Sequence, residues 1–485
     1  MKRIRRIVNL KRAIKSAYAL ENDDLTSSIL SVKNKNRRMN QIIKHRAVFF
    51  ALLTTILLSP FGASRVVAQS SSTPINDSLS LSTALKQVMA TYPTIQEARQ
   101  AIIAANAQIG LSKSRYLPNI SFSSSYAHLN PTTTITFPGL GTFQMNPSNN
   151  YNATINLDQN IYDFGKTKAG VDYAKQNSEL AKLNESQLKQ QLSLIVINGF
   201  YSIDYLQQAI KIKDDELKNL YDHLHFIQKK AATGSATEYE ILTTQVRISA
   251  IENQRTDLET SLKIAQSQLN ALLGKPQTNP LTVKNDLTAP MTIIQNDSLI
   301  AQALRQREEM KIATQKMLLA QLQLKQVNVA NNPSFNFMAN GGYKNGYIPD
   351  LNAMKANYLV GVSLNIPIFD ASRTKYNRMA AKAQIESALQ DQDLTKRNVE
   401  SNVIQSYENT RSAQQKVTEA TMQVRQAKKA YHLAQVSYES GSITNLDLLD
   451  SAVNLAESEL SLLKTQIDYT VSLYQLKIAL GETVY

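Results

Sequence analysis

Asp222-His223-Leu224-His225 gathers two imidazoles and a carboxylate within four positions of a 485-residue chain. Such side chains can hold a divalent cation. On a helix, however, positions i and i+2 do not share a face, so the cluster reads as a solvated helix face and not as a metal site. The other histidines, His45, His128 and His432, stand apart. The chain has no cysteine, which removes disulfides, thiolate metal sites and a Cys nucleophile. Gly139-Leu140-Gly141 lacks the third glycine of a dinucleotide fingerprint, and neither a P-loop nor a Gly-x-Ser-x-Gly elbow occurs. No catalytic, cofactor or metal constellation is present, so an enzyme is not expected.

Charge points to a compartment. The formal net charge is +14, but residues 1–68 carry 14 Lys/Arg against 3 Asp/Glu, which leaves 39 against 36 for the remainder. A basic nucleic-acid-binding face on the main body is therefore not expected. Lys44 and Arg46 precede the apolar run Ala47–Leu58, which Ser59, Pro60 and Gly62 break before Val66-Val67-Ala68. This is the layout of a secretory signal peptide, with cleavage after Ala68 and a mature chain of about 417 residues. The run is too short for a transmembrane helix of roughly 20 residues. No cysteine follows the cut to carry a lipid. Residues 1–38 are unusual ahead of such a signal, and Met39 is the more ordinary start.

The body is a tandem repeat, which must be found before its elements are read. Leu157-Asp158-Gln159-Asn160-Ile161-Tyr162-Asp163 recurs as Leu364-Asn365-Ile366-Pro367-Ile368-Phe369-Asp370, at an offset of 207 residues. Thr167-Lys168, Gly234 and Gly274 recur at that offset as Thr374-Lys375, Gly441 and Gly481. The first repeat spans 69–278, a linker with Pro280 and Pro290 spans 279–296, and the second repeat spans 297–485. Each copy reads helix, strand, strand, long helix, turn, helix. The first helix is expected from about Ser82 to Lys113, and 129–149 reads as a polar loop.

The strands alternate. Ile120, Phe122 and Tyr126 interleave with Ser121, Ser123 and Ser125; Tyr151, Ala153, Ile155 and Leu157 interleave with Asn152, Thr154, Asn156 and Asp158. The second copy repeats the phase with Tyr358, Val360, Val362 and Leu364. A period of two with one apolar and one polar face suits a sheet between two solvents, lipid and a wet lumen, or a half-buried soluble sheet. Asp163 and Asp370 stand where strand gives way to helix and are good N-cap types. The second long helix runs from Asp370 to Ser440 without Pro or Gly. About 70 residues at ~1.5 Å each make a rod of roughly 100 Å, which needs lateral partners. Ala413, Val417, Ala420, Val424, Ala427, Tyr431, Ala434 and Tyr438 form a heptad seam, as do Leu446, Leu449, Val453, Ala456, Leu460, Leu463 and Ile467. A second stripe on the last helix, Leu448, Leu455, Leu462, Tyr469 and Leu476, calls for a second neighbour and hence a wall of helices.

The tandem repeat, the Leu-x-x-x-Ile-(Tyr/Phe)-Asp junction and the doubled turn at 234–242 and 441–449 resemble the TolC-like outer-membrane efflux proteins over the whole mature length. The resemblance implies an α+β membrane protein and a homotrimer. Each protomer would give four amphipathic strands to a twelve-stranded β-barrel in outer-membrane lipid. Its very long antiparallel helices would form a periplasmic tunnel. The implied function is a passive exit duct for substrates delivered by an inner-membrane pump and a periplasmic adaptor, or membrane fusion, protein. The adaptor would contact the hairpin tips at Gly234, Ser235, Gly441 and Ser442. The resemblance places Asp447 and Asp450 at the aperture carboxylates, a ring favouring cations, and matches Tyr438 and Glu240 to a clasp of the closed state. Ile443 stands where relatives carry an Arg, so the clasp is expected to be weaker or differently built. The alternative is a periplasmic coiled-coil structural or adaptor protein without a pore.

Overall fold

The computed structural model describes residues 78–285, 287 and 298–485. The leader with Met39, residues 69–77, and 286 and 288–297 with Pro290 lie outside them.

Helices α1 (Leu81–Thr91) and α2 (Pro93–Ser114) lead into strand β1 (Asn119–His128). A hairpin of β2 (Thr134–Phe137) and β3 (Gly141–Gln144) precedes β4 (Asn149–Tyr162). Then come α3 (Lys166–Ala232) and α4 (Glu238–Leu273). The second copy runs α5 (Leu299–Gln306), α6 (Glu308–Val329), β5 (Ser334–Lys344), β6 (Lys355–Asn365), α7 (Arg373–Glu439) and α8 (Asn445–Ala479).

Three expectations need correction. The opening helix is two helices, because Pro93 forces Tyr92 into extended backbone and starts a new helix at its own N1 position. The second copy breaks at the equivalent place without proline. There Arg307 is extended, and its guanidinium grips Glu309 at 2.8 and 3.1 Å and Asn402 at 2.8 Å. Residues 129–149 are not a plain loop: Ile135 pairs with Phe143 and Thr136 with Thr142 across a hairpin that has no counterpart in the second copy. The start of the linker packs against the first repeat. Leu281 and Val283 are buried, and Leu79 exchanges backbone bonds of 2.9 Å with Thr282 and Lys284.

The sheet is antiparallel in the order β1-β4-β5-β6. Its register sets Phe122 opposite Ile155, Leu157 opposite Ala339, and Phe337 opposite Val362, so the apolar residues share one face. That face is bare: Phe122 is 70% and Tyr358 85% exposed. The other face carries Ser121, Ser123, Asn152, Asn156, Asn336, Asn340 and Asn357. At the end remote from the helices Lys344 and Lys355 stand opposite each other. β1 and β6 are the edges.

The long helices start on a shared device. Neither Asp163 nor Asp370 is the capping residue by position; Gly165 and Ser372 are, both with positive φ. The aspartates act from two residues further back. Asp163 Oδ2 accepts from the Thr167 amide at 2.8 Å and from the Thr167 hydroxyl, while Oδ1 accepts from Gly165 N at 3.1 Å. Asp370 Oδ2 accepts from the Thr374 amide at 2.9 Å, the Thr374 hydroxyl at 2.5 Å and Asn331 at 2.7 Å. The Thr374 and Asn331 bonds pull the Asp370 carboxyl down to about 2.

α3 and α7 are 67 residues each, so most of their length lies far from any single core. Contacts come in clusters instead. A large one at mid-height joins α1, α3, α4 and the linker start, with Val88, Ile197, Phe200, Tyr201 and Leu269 fully enclosed. A smaller one uses the same repeat positions: Val399, Val403, Leu476 and Leu480 correspond to Leu192, Val196, Leu269 and Leu273. α8 packs on both α7 and α3, and Leu448, Leu449, Leu463, Ile467, Tyr469 and Leu476 are buried, whereas Leu446, expected to open one seam, is exposed. The free flank of α7 leaves Leu394, Ile404, Met422, Leu433 and Val436 exposed.

Asp163→Ala removes every side-chain bond at the start of α3. Losing such a cap costs about 1 kcal/mol. Hydrogen exchange should show several-fold faster amide exchange at Thr167 and its neighbours, with the middle of α3 unchanged.

Candidate functional site

The two helical hairpins turn at the same end of the protein, and both turns are closed by main-chain bonds, with the Thr233 and Ser440 hydroxyls bonded back to Lys230 O and Ser437 O. After α3, Ser235 N donates to Lys230 O at 2.8 Å and Gly234 N to Ala231 O at 2.9 Å. After α7, Ser442 N donates to Ser437 O at 2.8 Å and Gly441 N to Tyr438 O at 3.1 Å. Gly234 and Gly441 take φ of +76° and +77°, the left-handed region that closes this motif and that a Cβ disfavours. Thr237 and Thr444 then cap α4 and α8 through their hydroxyls.

Glu240 and Asp447 are repeat counterparts three residues after these caps, yet they do different work. Asp447 turns inward on its own helix: Oδ2 accepts from Thr444 N at 2.9 Å and Thr444 Oγ1 at 2.6 Å, a capping box. Those bonds hold its carboxyl below the ordinary range. Glu240 keeps a long contact to Thr237 at 3.3 Å and offers Oε2 to the other hairpin. Tyr438 Oη donates to it at 2.9 Å. Burial, and then the carboxylate it donates to, push the Tyr438 phenol up, so it stays protonated and able to donate. Asp450 lies on the exposed face of α8 and meets Arg247 of α4 at 3.1 Å. Ile443 is half-buried in an apolar cluster with Ile227, Tyr438 and Leu448. The structure thus joins Tyr438 to Glu240. It sets Asp447 and Asp450 one turn apart on an exposed face, and leaves Gly234, Ser235, Gly441 and Ser442 at the exposed turns.

Four participants were not singled out from the sequence as parts of the tip: Asn445, Thr244, Arg247 and His223. The reading of His223 as a solvated residue needs correction, although Asp222 and His225 beside it are exposed. His223 faces the second hairpin, with Nε2 2.7 Å from Asn445 Oδ1 and its ring edge-on to Tyr438 at 5.2 Å. Lys230 lies over the Tyr438 ring at 5.0 Å. The signal available in the sequence was the seam itself, since His223 lies three residues before Phe226 and one turn before Ile227 on the inward side of α3.

Burial, the largest cause, lowers the His223 pKa from its ordinary 6.5; Lys230 acts the same way, while Asn445 and Glu240 oppose. The folded tip therefore binds fewer protons than the unfolded chain below about pH 6.5, and stability falls as pH falls through that window. Thermal unfolding at pH 7.5 and 5.0 should show a smaller acid loss for His223→Gln than for the parent chain.

Comparison with known proteins puts this geometry in context. The family model described as outer membrane efflux protein matches residues 84–275 and 299–482, one block per repeat. The alkaline protease secretion protein AprF of Pseudomonas aeruginosa is 22% identical over 402 residues, covering 80% of this chain and 82% of its own. The outer membrane protein TolC of Escherichia coli is 20% identical over 418 residues, covering 82% and 81%. Among solved structures, CusC superposes with a TM-score of 0.70 at 17% identity over 83% of this chain and 92% of that one. The outer membrane protein VceC of Vibrio cholerae gives 0.68 at 17% identity over 84% and 97%. Two repeats with a bare amphipathic sheet at one end, rods of 67 residues and paired hairpin tips at the other make this chain a member of the outer membrane efflux protein family, an exit duct whose helices stand in the periplasm.

Proposed function

We propose that three copies of this chain assemble into a passive channel-tunnel, closed as a β-barrel in the outer membrane and as a helical wall below it. One observation carries the reading: a four-stranded sheet with a bare apolar face and two open edges. Lipid accepts the face but not the edges, because unpaired backbone groups are costly in hydrocarbon. Pairing β6 of one copy with β1 of the next removes every edge. Tyr126, Tyr151, Tyr343 and Tyr358 near one end of the strands, and Tyr116, Tyr162, Phe164 and Phe369 at or beyond the other, suit the aromatic girdles of such a barrel. The neighbour would also cover the free flank of α7. A pore-free periplasmic rod would leave this sheet face in water.

In this assembly the hairpin tips form the periplasmic aperture. Asp447 and Asp450 ring the axis and favour cations. Tyr438 and Glu240 hold the two hairpins of one protomer together in the closed state. A periplasmic adaptor docks at Gly234-Ser235 and Gly441-Ser442, and an inner-membrane pump supplies the energy. Two relatives are named for alkaline protease secretion and for cation efflux. That breadth suits a duct whose polar wall is permissive and whose cargo is chosen by the pump.

Recordings in planar bilayers test this. Asp447→Asn with Asp450→Asn should reduce cation preference and block by multivalent cations. Arg247→Ala should raise cation preference, because Asp450 loses its partner cation. Tyr438→Phe should raise the leak of the closed channel. Unchanged selectivity removes Asp447 and Asp450 from the pore, and a mature protein in the soluble periplasmic fraction overturns the channel.

A further inference from the structure

We infer that Asn445 is a second, uncharged clasp of the aperture, joining three helices where no ion pair does so. The inference rests on the gate proposed above and names what holds it. Asn445 opens α8 directly after the Thr444 cap and is only 5% exposed. Its side-chain carbonyl accepts from His223 on α3 at 2.7 Å. Its amide donates to α4, with Thr244 Oγ1 at 3.3 Å, Glu240 O at 3.4 Å and Thr243 Oγ1 at 3.5 Å. One residue of the second hairpin thereby ties both arms of the first. Each partner has a defined role: Thr244 is fully buried and donates its own hydroxyl to Glu240 O at 2.8 Å, leaving a lone pair for Asn445. His223 must carry its proton on Nε2, because the atom it meets only accepts.

The setting explains why a neutral amide serves here. Ile443, two residues earlier, belongs to the apolar cluster of Ile227, Tyr438 and Leu448 and cannot bond across the gap. The remaining polar ties between the hairpins at this level involve charge. Glu240 accepts from Tyr438, and Arg247–Asp450 is an ion pair with side chains 32% and 58% exposed. An exposed ion pair weakens as salt rises. Asn445 is shielded and neutral, so its hold does not. Moving one hairpin against the other must break its bonds and leave the buried Asn445 amide and the half-buried His223 nitrogen without these partners, a larger loss than the bonds alone.

The test is closed-state leak of the reconstituted channel, normalised to bulk conductivity, in about 0.1 M and about 1 M KCl, where the screening lengths are ~10 Å and ~3 Å. Asn445→Ala should raise leak about fivefold or more at both salts, with cation preference unchanged because Asp447 and Asp450 remain. Arg247→Ala should raise leak at low salt only. His223→Ala added to Asn445→Ala should raise leak by less than the product of the single effects, because the two share a bond. Asn445→Gln tests the amide in a longer side chain, and partial recovery supports the assignment. If Asn445→Ala channels leak like the parent while Tyr438→Phe channels leak more, Asn445 is a packing residue and the gate stands without it. If Asn445→Ala raises leak at low salt only, the salt-independent clasp is wrong. If none of these changes moves leak and Asp447→Asn with Asp450→Asn leaves selectivity unchanged, the gate itself is misplaced.

Discussion

A helix about 100 Å long has no interior of its own. Only the stretch that meets the mid-height cluster around Phe200 and Tyr201 sits in anything like a core, and everywhere else α3 and α7 depend on a line of contact with a neighbour. That dependence organises the molecule. It accounts for heptad seams in place of a globular pattern, for the packing of α8 on both α7 and α3, and for the small residues along α7 that let helices approach. It also explains duplication. One hairpin offers a seam that it cannot satisfy, and a second copy of the same unit satisfies it, with cores built at matched positions such as Val196 and Val403.

The same logic reaches the sheet by another route. Strands inherit one apolar and one polar face from a period of two, and here neither face packs on the chain's own helices. The rods and the sheet are coupled at Asp163, directly after β4, and at Asp370, five residues after β6, which satisfy amides in the first turn of each rod.

Much of this could be read from the residues. The offset of 207 fixed the order of elements, the alternation at 151–158 and 358–365 fixed the faces of two strands, and the four-three spacing from Ala413 to Tyr438 marked the line that packs. What escaped was local chemistry that depends on partners distant in sequence. The break at Arg307 has no proline and comes from a guanidinium that meets Asn402, 95 residues on. The β2–β3 hairpin has strands of four residues, too short for alternation to stand out from polar loop composition. At the tip, nothing in the neighbouring sequence distinguishes Asn445, and His223 reads as part of a solvated helix face. Their contact spans 222 positions and no local pattern encodes it.

The reversals at Gly234 and Gly441 are closed by main-chain bonds and a left-handed glycine, with capping supplied from Thr237 and Thr444. The Ser235 and Ser442 hydroxyls meet only Thr233 and Ser440 of their own turns, whereas Ala236 packs on the cluster of Ile227, Tyr438 and Leu448. Exchanges at Ser235 and Ser442 therefore leave the architecture beneath them in place, while Ala236 is tied to the cluster it covers. Divergence among relatives should concentrate at those two serines.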